Sequence, residues 1–328
     1  MIENKHLDCS TLHSRCFSFS AKAYHLLLTI SNIYNKHELI ICGGIKMALT
    51  DTYKLNNGIE IPVVGFGTWQ TPDGEVARES VKTALEVGYR HIDTAAAYGN
   101  EVSVGQGIKE SGVNRHDIFL TTKLWNDSHG YEATKKAIDL SLQKLDTDYL
   151  DLYLIHWPNP VAVREHWAEL NAESWQAMEE AVKAGKIRAM GISNFRKHHL
   201  DKLLKTANIV PAVNQNYLNP SDLQPDVLSA NKEHDILNEA YSPLGTGDLL
   251  RNELVAEIAA AHNHSVPQVL LRWSLQHGFL PLPKSVHAEY IKSNTDIFDF
   301  ELTDDEMKKL DGLRGVTHLA TDPDTATF

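Results

Sequence analysis

Apolar residues along this chain follow two alternating patterns. Short runs rich in Val, Ile and Leu occupy 63–68, 91–95, 118–123, 150–156, 187–193, 212–215, 236–241 and 279–283, and each reads as a buried strand. Between them, stretches near 74–87, 100–111, 131–145, 164–184, 197–207, 222–233 and 252–277 read as helices. Strands alternating with helices predict a parallel sheet, and eight such units in about 250 residues predict an α/β fold of the closed (β/α)8 TIM-barrel type. Ahead of the first unit, Asn57-Gly58 lies between two short alternating runs within 53–62. It signals a β-hairpin, because both central residues of the tight turn must accept positive φ. Asn100 stands where a helix begins and reads as its N-cap. Two further helices are marked by capping boxes, Ser265 with Gln268 and Thr303 with Glu306, the second in an extra C-terminal segment. The polar stretch 317–328 that follows reads as a mobile tail.

A barrel of this kind gathers the C-terminal ends of its strands around one mouth, where residues distant in sequence converge. Asp93 closes the second apolar run, Tyr98 sits on the loop after it, Lys123 ends the third run and His156 ends the fourth. Any one of them is an ordinary polar group at a strand end. All four in the same register are a candidate site.

Composition narrows the class. The chain has 328 residues, 42% hydrophobic and 23% charged, which suits one large soluble core. No apolar run approaches the roughly 20 residues needed to span a bilayer, so no membrane partner is expected. A net charge of −12 argues against nucleic acid, whose phosphates need a basic face. All three cysteines, Cys9, Cys16 and Cys42, precede Met47, so a disulfide framework is impossible in the rest of the chain, and a reducing cytoplasmic location is expected. Residues 1–46 carry five Lys/Arg against three Asp/Glu, a net +2 that leaves −14 for the remainder. They show no clean periodicity and no signal-peptide pattern. They are expected to be a disordered extension, or translated sequence upstream of a true start at Met47, and the domain proper is expected to span 47–328.

Other chemistries lack their signatures. A Rossmann domain needs G-x-G-x-x-G after its first strand, and neither Gly65-Phe66-Gly67 nor Gly245-Thr246-Gly247 is completed by a third glycine. Tyr131 and Lys135 match Tyr-x-x-x-Lys, but they begin an amphipathic helix with no glycine fingerprint upstream and read as surface residues. Seventeen histidines include no His-Glu-x-x-His, so no metal is expected. Cysteine catalysis has no cysteine after Met47, and a serine nucleophile lacks its Gly-x-Ser-x-Gly elbow.

From about Tyr53 onward the chain resembles the aldo-keto reductases. The resemblance is carried by Gly-Tyr-Arg-His-Ile-Asp-Thr-Ala at 88–95, Lys-Leu-Trp-Asn at 123–126 and Asp-Leu-Tyr-Leu-Ile-His-Trp-Pro at 151–158. Gly-Ile-Ser-Asn-Phe at 191–195, Val-Asn-Gln at 213–215, Ala-Tyr-Ser-Pro-Leu at 240–244 and Pro-Lys-Ser-Val at 283–286 follow in the family's order. Among bacterial members the chain looks like the 2,5-diketo-D-gluconate reductase group. The resemblance implies a hairpin that plugs the barrel floor, a monomer, and a catalytic tetrad of Asp93, Tyr98, Lys123 and His156. Hydride reduction of a carbonyl leaves an alkoxide that needs a proton, and a free phenol near pKa 10 is a reluctant acid. Cationic Lys123 beside Tyr98 is therefore expected to lower the phenol's pKa, with Asp93 holding the lysine. Tyr98 is the expected donor, and His156 orients the substrate oxygen or shares in the proton transfer.

By the same resemblance Thr68, Ser193, Asn194 and Gln215 correspond to nicotinamide-side contacts, and Tyr241 to the ring stacked on the nicotinamide. Ser242, Pro243, Leu244, Lys284 and Ser285 correspond to phosphate-holding loops, and Asn294 to an adenine contact. The family's arginine after Lys-Ser-Val is replaced here by Tyr290, with His287 nearby. Tyrosine can stack but cannot pair a phosphate dianion, so NADP(H) is favoured on Lys284 and Ser285 while NADH stays open. Tyr217 and Asn219 also stand where relatives have Glu and His. Trp69, Trp125 and Trp157 follow strands 1, 3 and 4 and are the expected walls of a pocket for a small carbonyl substrate. The short loop 159–164 suggests that this pocket is open. The expected activity is NADPH-dependent reduction of small aldehydes, ketones or diketo sugar acids. The alternative is a cofactor-binding regulatory homologue without turnover.

Overall fold

The computed structural model describes residues 47–328, and the expectations for residues 1–46 lie outside them. The described chain opens with an antiparallel hairpin, β1 (Thr52–Lys54) and β2 (Glu60–Pro62). The turn differs from the tight one expected. Leu55 accepts from the Gly58 N–H and donates to Ile59 O, both at 2.8 Å, and only Gly58 of the Asn-Gly pair takes positive φ, at 86°. That is a type I turn followed by a left-handed glycine, which adds a residue to the loop without splaying the strands. Leu55 and Ile61 then plug one end of the barrel against Phe119, Leu152, Val213 and Leu280.

Eight parallel strands follow, β3 (Phe66–Gly67), β4 (His91–Asp93), β5 (Phe119–Leu124), β6 (Leu150–Ile155), β7 (Ile187–Ser193), β8 (Val213–Tyr217), β9 (Leu237–Tyr241) and β10 (Leu280–Leu282), paired in sequence order. Gly65 N–H donates to Pro281 O (3.1 Å) and Gly67 N–H to Pro283 O (3.0 Å), so the first strand meets the last and the (β/α)8 barrel closes. Between strands run α1 (Glu75–Val87), α2 (Glu101–Glu110), α3 (Tyr131–Leu145), α4 (Trp167–Lys183), α5 (Lys197–Leu203) and α6 (Pro225–Glu233). The expected helix at 252–277 is two, α7 (Glu253–Ala261) and α8 (Val266–Gln276), because the Ser265–Gln268 capping box starts a new helix. After β10 come α9 (Ala288–Ser293) and α10 (Asp304–Asp311), the latter opened by the Thr303–Glu306 box.

Period-two alternation divides the strands' side chains between two cores. Outward residues such as Ile92, Leu120, Tyr153 and Ile155 bury against Val81, Leu85, Val104, Ile138 and Leu142 of the helices. Inward residues fill the barrel in layers. Apolar side chains occupy the hairpin end, and polar ones, among them His91, Asp93, Thr121, Lys123, Gln215 and Glu239, stand nearer the mouth. The interior is tight enough that a Cβ on Gly65 would lie 2.5 Å from His91 Nδ1.

Two local expectations change. Asn100 does precede α2, but its side chain caps nothing. It is wholly buried, donates to Thr68 O and Thr71 O (both 3.1 Å) and accepts from Thr94 Oγ1 (3.0 Å), tying the loop after β3 to the loop after β4. The tail at 317–328, expected to be mobile, is pinned back on the molecule. Ala320 N–H donates to Asp222 (2.8 Å), Arg164 Nη2 to Ala326 O (2.6 Å), and Asp324 accepts from Asn159 (2.9 Å).

Candidate active site

Strand ends place four side chains in contact. Lys123, the inward residue near the end of β5, is fully buried, and its Nζ donates to Asp93 Oδ1 (2.7 Å), Thr94 O (2.8 Å) and Tyr98 Oη (3.2 Å). Tyr98 closes a short 3-10 turn, 96–98, held by the left-handed Gly99 (φ 70°). Lys123 Nζ also lies 4.9 Å from the centre of the Tyr98 ring. His156 follows β6 with its ring edge-on to Tyr98 (5.8 Å) and to Trp125 (5.2 Å). The four expected catalytic side chains are thus brought together.

Electrostatics assign their protonation states. Burial alone would depress the Lys123 ammonium, but Asp93 and Tyr98 outweigh it and hold it above its ordinary value. For Tyr98 the expectation is corrected. Burial pushes the phenol above its ordinary value, and Lys123, though it pulls down, does not reverse this against burial and Asp93. The hydroxyl therefore keeps its proton at neutral pH. Burial, with Lys123, holds His156 well below its ordinary value, so the imidazole is neutral, and its Nδ1 has no hydrogen-bond partner among the described residues.

The residues expected around a nicotinamide lie at the ends of the following strands. Ser193 Oγ donates to Gln215 O (2.9 Å), and Asn194, in the left-handed region (φ 61°), donates to His156 O (3.0 Å) and to Ser193 Oγ (3.1 Å). Tyr241 Oη donates to Asn194 Oδ1 (2.8 Å). Gln215 Nε2 donates to Asp93 Oδ2 (2.9 Å), which joins this group to the tetrad. Thr68 is buried and donates through Oγ1 to Asp93 O (3.0 Å), so it braces β4 from the neighbouring strand.

Ser242, Pro243 and Leu244 follow β9, where Ser242 (φ 50°) and Gly245 (φ 61°) turn the chain sharply. Lys284 and Ser285 follow β10. Lys284 is exposed, pairs with no carboxylate among the described residues, and is held below its ordinary value by partial burial of its ammonium. Asn294 is buried after α9, while Tyr290 is exposed and edge-on to His287 (5.6 Å). An unpaired lysine beyond β10 and polar groups on β7 to β9 suit a nicotinamide dinucleotide laid across this side of the mouth.

Trp125 and Trp157 are half-buried and meet through a residue that no sequence signal marked. The Phe328 ring stacks on Trp125 (6.4 Å, 11°) and stands edge-on to Trp157 (4.9 Å, 81°). Trp69 is 45% exposed and makes no ring contact among the described residues. Phe328 O accepts from Val161 N–H (3.3 Å), so the end of the tail is tied to the loop at 159–164, beside the expected pocket.

Among the described residues one trio has metal-binding composition, His198, His199 and Asp324. Arg196 N–H donates to His199 Nδ1 (3.2 Å), which puts the ring proton on Nε2, facing Asp324 Oδ1 (2.9 Å). A ligating imidazole has the reverse arrangement, with one nitrogen bare for the metal and the other donating. The trio is a fastening for the tail.

Comparison with known proteins gives a consistent result. The model of the aldo/keto reductase family matches residues 63–314. The chain is 48% identical over 281 residues to a glyoxal reductase of Bacillus subtilis, covering 86% of this chain and 99% of that protein. It resembles the crystal structure of an aldo/keto reductase from Brucella melitensis at 44% identity with a TM-score of 0.77, over 81% of this chain and 99% of the other. A Bombyx mori aldo-keto reductase solved in complex with NADP is similar at 34% identity and a TM-score of 0.74, over 83% and 95%.

Proposed function

The chain belongs to the aldo/keto reductase family of oxidoreductases, and on that premise we propose that it reduces small aldehydes, ketones or diketo sugar acids with NADPH, using Tyr98 as proton donor. One observation carries this reading: Lys123 Nζ bridges Asp93 and the Tyr98 hydroxyl, while the neighbouring His156 is neutral. When bound, the dihydronicotinamide supplies hydride to the carbonyl carbon. The oxygen then gains the negative charge that the tetrad has to meet.

Tyr98 Oη–H transfers its proton to that oxygen, and Lys123 at 3.2 Å stabilises the phenolate left behind. Asp93 keeps the lysine charged and in line. Neutral His156 has no proton to lose at a useful pH, so it orients the carbonyl by a hydrogen bond. Ser193, Asn194 and Gln215 would hold the carboxamide, Thr68 the strand beneath it, and Tyr241 the ring face. Ser242, Pro243 and Leu244 with Lys284 and Ser285 would hold the phosphates, and Asn294 the adenine.

NADPH is favoured over NADH because exposed Lys284 is a cation with no carboxylate partner among the described residues. Tyr290, 55% exposed, offers a stacking face but no charge for a 2′-phosphate. Trp125, Trp157 and Phe328 form an aromatic wall beside His156, which suits a small carbonyl compound with little bulk to lodge. The relative named for glyoxal reduction supports the same substrate class.

The test is loss of absorbance at the reduced-nicotinamide band, with NADPH and NADH in parallel, against glyoxal, methylglyoxal, 2,5-diketo-D-gluconate and an aromatic aldehyde. Turnover that falls at least 10³-fold in Tyr98→Phe, with NADPH binding retained, supports the mechanism. No turnover with either cofactor despite tight binding would overturn it in favour of a regulatory role.

A further inference from the structure

One buried carboxyl near the tetrad has no place in the mechanism above. Glu239 lies on β9 directly beside Gln215 on β8, and both point into the barrel. It is fully buried. Gln215 Nε2 divides its two N–H groups between Asp93 Oδ2 and Glu239 Oε2, each at 2.9 Å. Asp93 Oδ1 in turn receives Lys123. A single hydrogen-bonded line therefore runs from the Tyr98 hydroxyl through Lys123, Asp93 and Gln215 to Glu239.

Charge counting fixes the state of its far end. The groups facing Glu239 are Gln215 from β8, His91 and Asp93 from β4, and Lys123 from β5. The strand on its other side, β10, offers only Leu280, Pro281 and Leu282. Lys123 is the one cation in this set, and Asp93 holds it at 2.7 Å. His91 is no counter-ion. Its Nε2 is 3.9 Å from Glu239 Oε1 and already bonded to Thr121 Oγ1 (2.9 Å), and burial, with Lys123, pushes the imidazole down to about 3. Glu239 Oε1 has no hydrogen-bond partner among the described residues. A second carboxylate here would be buried without a balancing charge, which is costly enough that the group keeps its proton instead. Burial and Asp93 accordingly push the Glu239 carboxyl up to about 8.

We propose that Glu239 is a positioning residue of this reductase, which in its neutral form orients the Gln215 amide and on ionising weakens both cofactor binding and reduction. With Nε2 turned toward two carboxyl acceptors, the Gln215 carbonyl faces the opposite way, toward donors such as the amide N–H groups of a nicotinamide. An Ala at 239 frees the amide to rotate. Ionised Glu239 sets a second negative charge in line with Asp93, against the charge that grows on the substrate oxygen. The inference rests on the reductase reading for its kinetic arm, and its binding arm stands without turnover.

The test compares the wild type with Glu239→Gln and Glu239→Ala from pH 6.5 to 9.5. The first readout is NADPH affinity from quenching of tryptophan fluorescence, and the second is kcat and kcat/KM with a small aldehyde. Wild-type affinity and kcat/KM are expected to fall about tenfold across the upper half of that range. In Glu239→Gln, an uncharged isostere that still offers Gln215 a carbonyl, both lines are expected to flatten. Glu239→Ala is expected to lose at least tenfold in affinity at pH 6.5, most of which Gln at the same position restores. Superimposable pH profiles for wild type and Glu239→Gln would overturn the proposal, as would Glu239→Ala binding NADPH like the wild type. If Glu239→Ala does not fold, the Gln variant's profile decides alone. A wild type that binds NADPH with the expected pH dependence but turns nothing over refutes the reductase reading and leaves the positioning of Gln215 standing.

Discussion

Replacing Asp93 with Asn tests the tetrad at its buried ion pair. The Asp93–Lys123 contact is 2.7 Å, and both side chains are essentially dry. At an effective dielectric of ~20 the attraction is about 6 kcal/mol, and removing one partner of such a buried pair costs about 3–5 kcal/mol. Asn still offers Lys123 an oxygen, which returns about 1 kcal/mol, so the variant is expected to be about 2–4 kcal/mol less stable at pH 7. Its amide meets the Gln215 Nε2 donor at 2.9 Å, donor against donor, so Gln215 must turn and lose its bond to Glu239.

The larger effect of that change is on the lysine's proton. In the wild type Asp93 and Tyr98 overcome burial and hold Lys123 above its ordinary value, so it stays charged through the assay range. Without Asp93, burial prevails and the folded value drops below that of the unfolded chain. The native variant then binds fewer protons than its unfolded state, and its stability rises with pH until the unfolded lysine also deprotonates. Activity moves the opposite way, because the neutral amine cannot stabilise a phenolate. Asp93→Asn is expected to lose about 10²- to 10³-fold in kcat/KM at pH 7.5, equivalent to about 3–4 kcal/mol. It should recover as pH falls toward 6, while its melting-temperature deficit against wild type narrows as pH rises toward 9.5. A flat pH profile with more than a third of wild-type kcat/KM would refute the reasoning.

Two further perturbations probe the frame around the site. Asp151 is fully buried at the start of β6, where it accepts from Arg115 (2.8 Å), Arg188 (2.6 Å) and Leu120 N–H (3.0 Å). Asp151→Ala strands two arginines, one of them 47% exposed and able to rehydrate, so a loss of about 2–3 kcal/mol, read as denaturant midpoint, is expected rather than the full cost of a buried charge. An unchanged midpoint would show that the trio contributes nothing. Deleting Phe328 removes the ring that bridges Trp125 and Trp157. KM for small carbonyls should rise about three- to tenfold, about 1 kcal/mol of lost contact, with NADPH affinity unchanged. Equal losses in both would place the tail on the cofactor instead.

The barrel and tetrad were legible because both write themselves locally. Each strand is a short apolar run bounded by breakers, and the four polar residues fall at corresponding ends of neighbouring runs, where closure of the sheet must bring them together. Strand bounds agree to within a few residues, and Ile187–Ser193 coincides with the expected run. Asn100 misled because a side chain at a helix start can cap the helix or leave it. Only the fold brings Thr68 and Thr71 within its reach. The tail misled for a related reason: polar residues without periodicity resemble a solvated end, and nothing local announces that Asp324 will meet Asn159 and His199, 165 and 125 residues away.

Glu239 shows the same limit most sharply. In sequence it is an acidic residue two places before Tyr241, in a stretch whose neighbours Asn238 and Ala240 are unremarkable. Its surroundings depend on the β8–β9 register, which sets it opposite Gln215 rather than Asn214 or Asn216. A slip of one residue would turn it outward toward the helices, away from Gln215 and Asp93. Register is fixed by the apolar pattern of both strands, Val213 with Leu237 at one end and Tyr217 with Tyr241 at the other. The apolar residues that fold the barrel therefore also decide the charge state of an acid three hydrogen bonds from Lys123. The proton held on Glu239 is a property of strand pairing, and no motif centred on Glu239 could carry it.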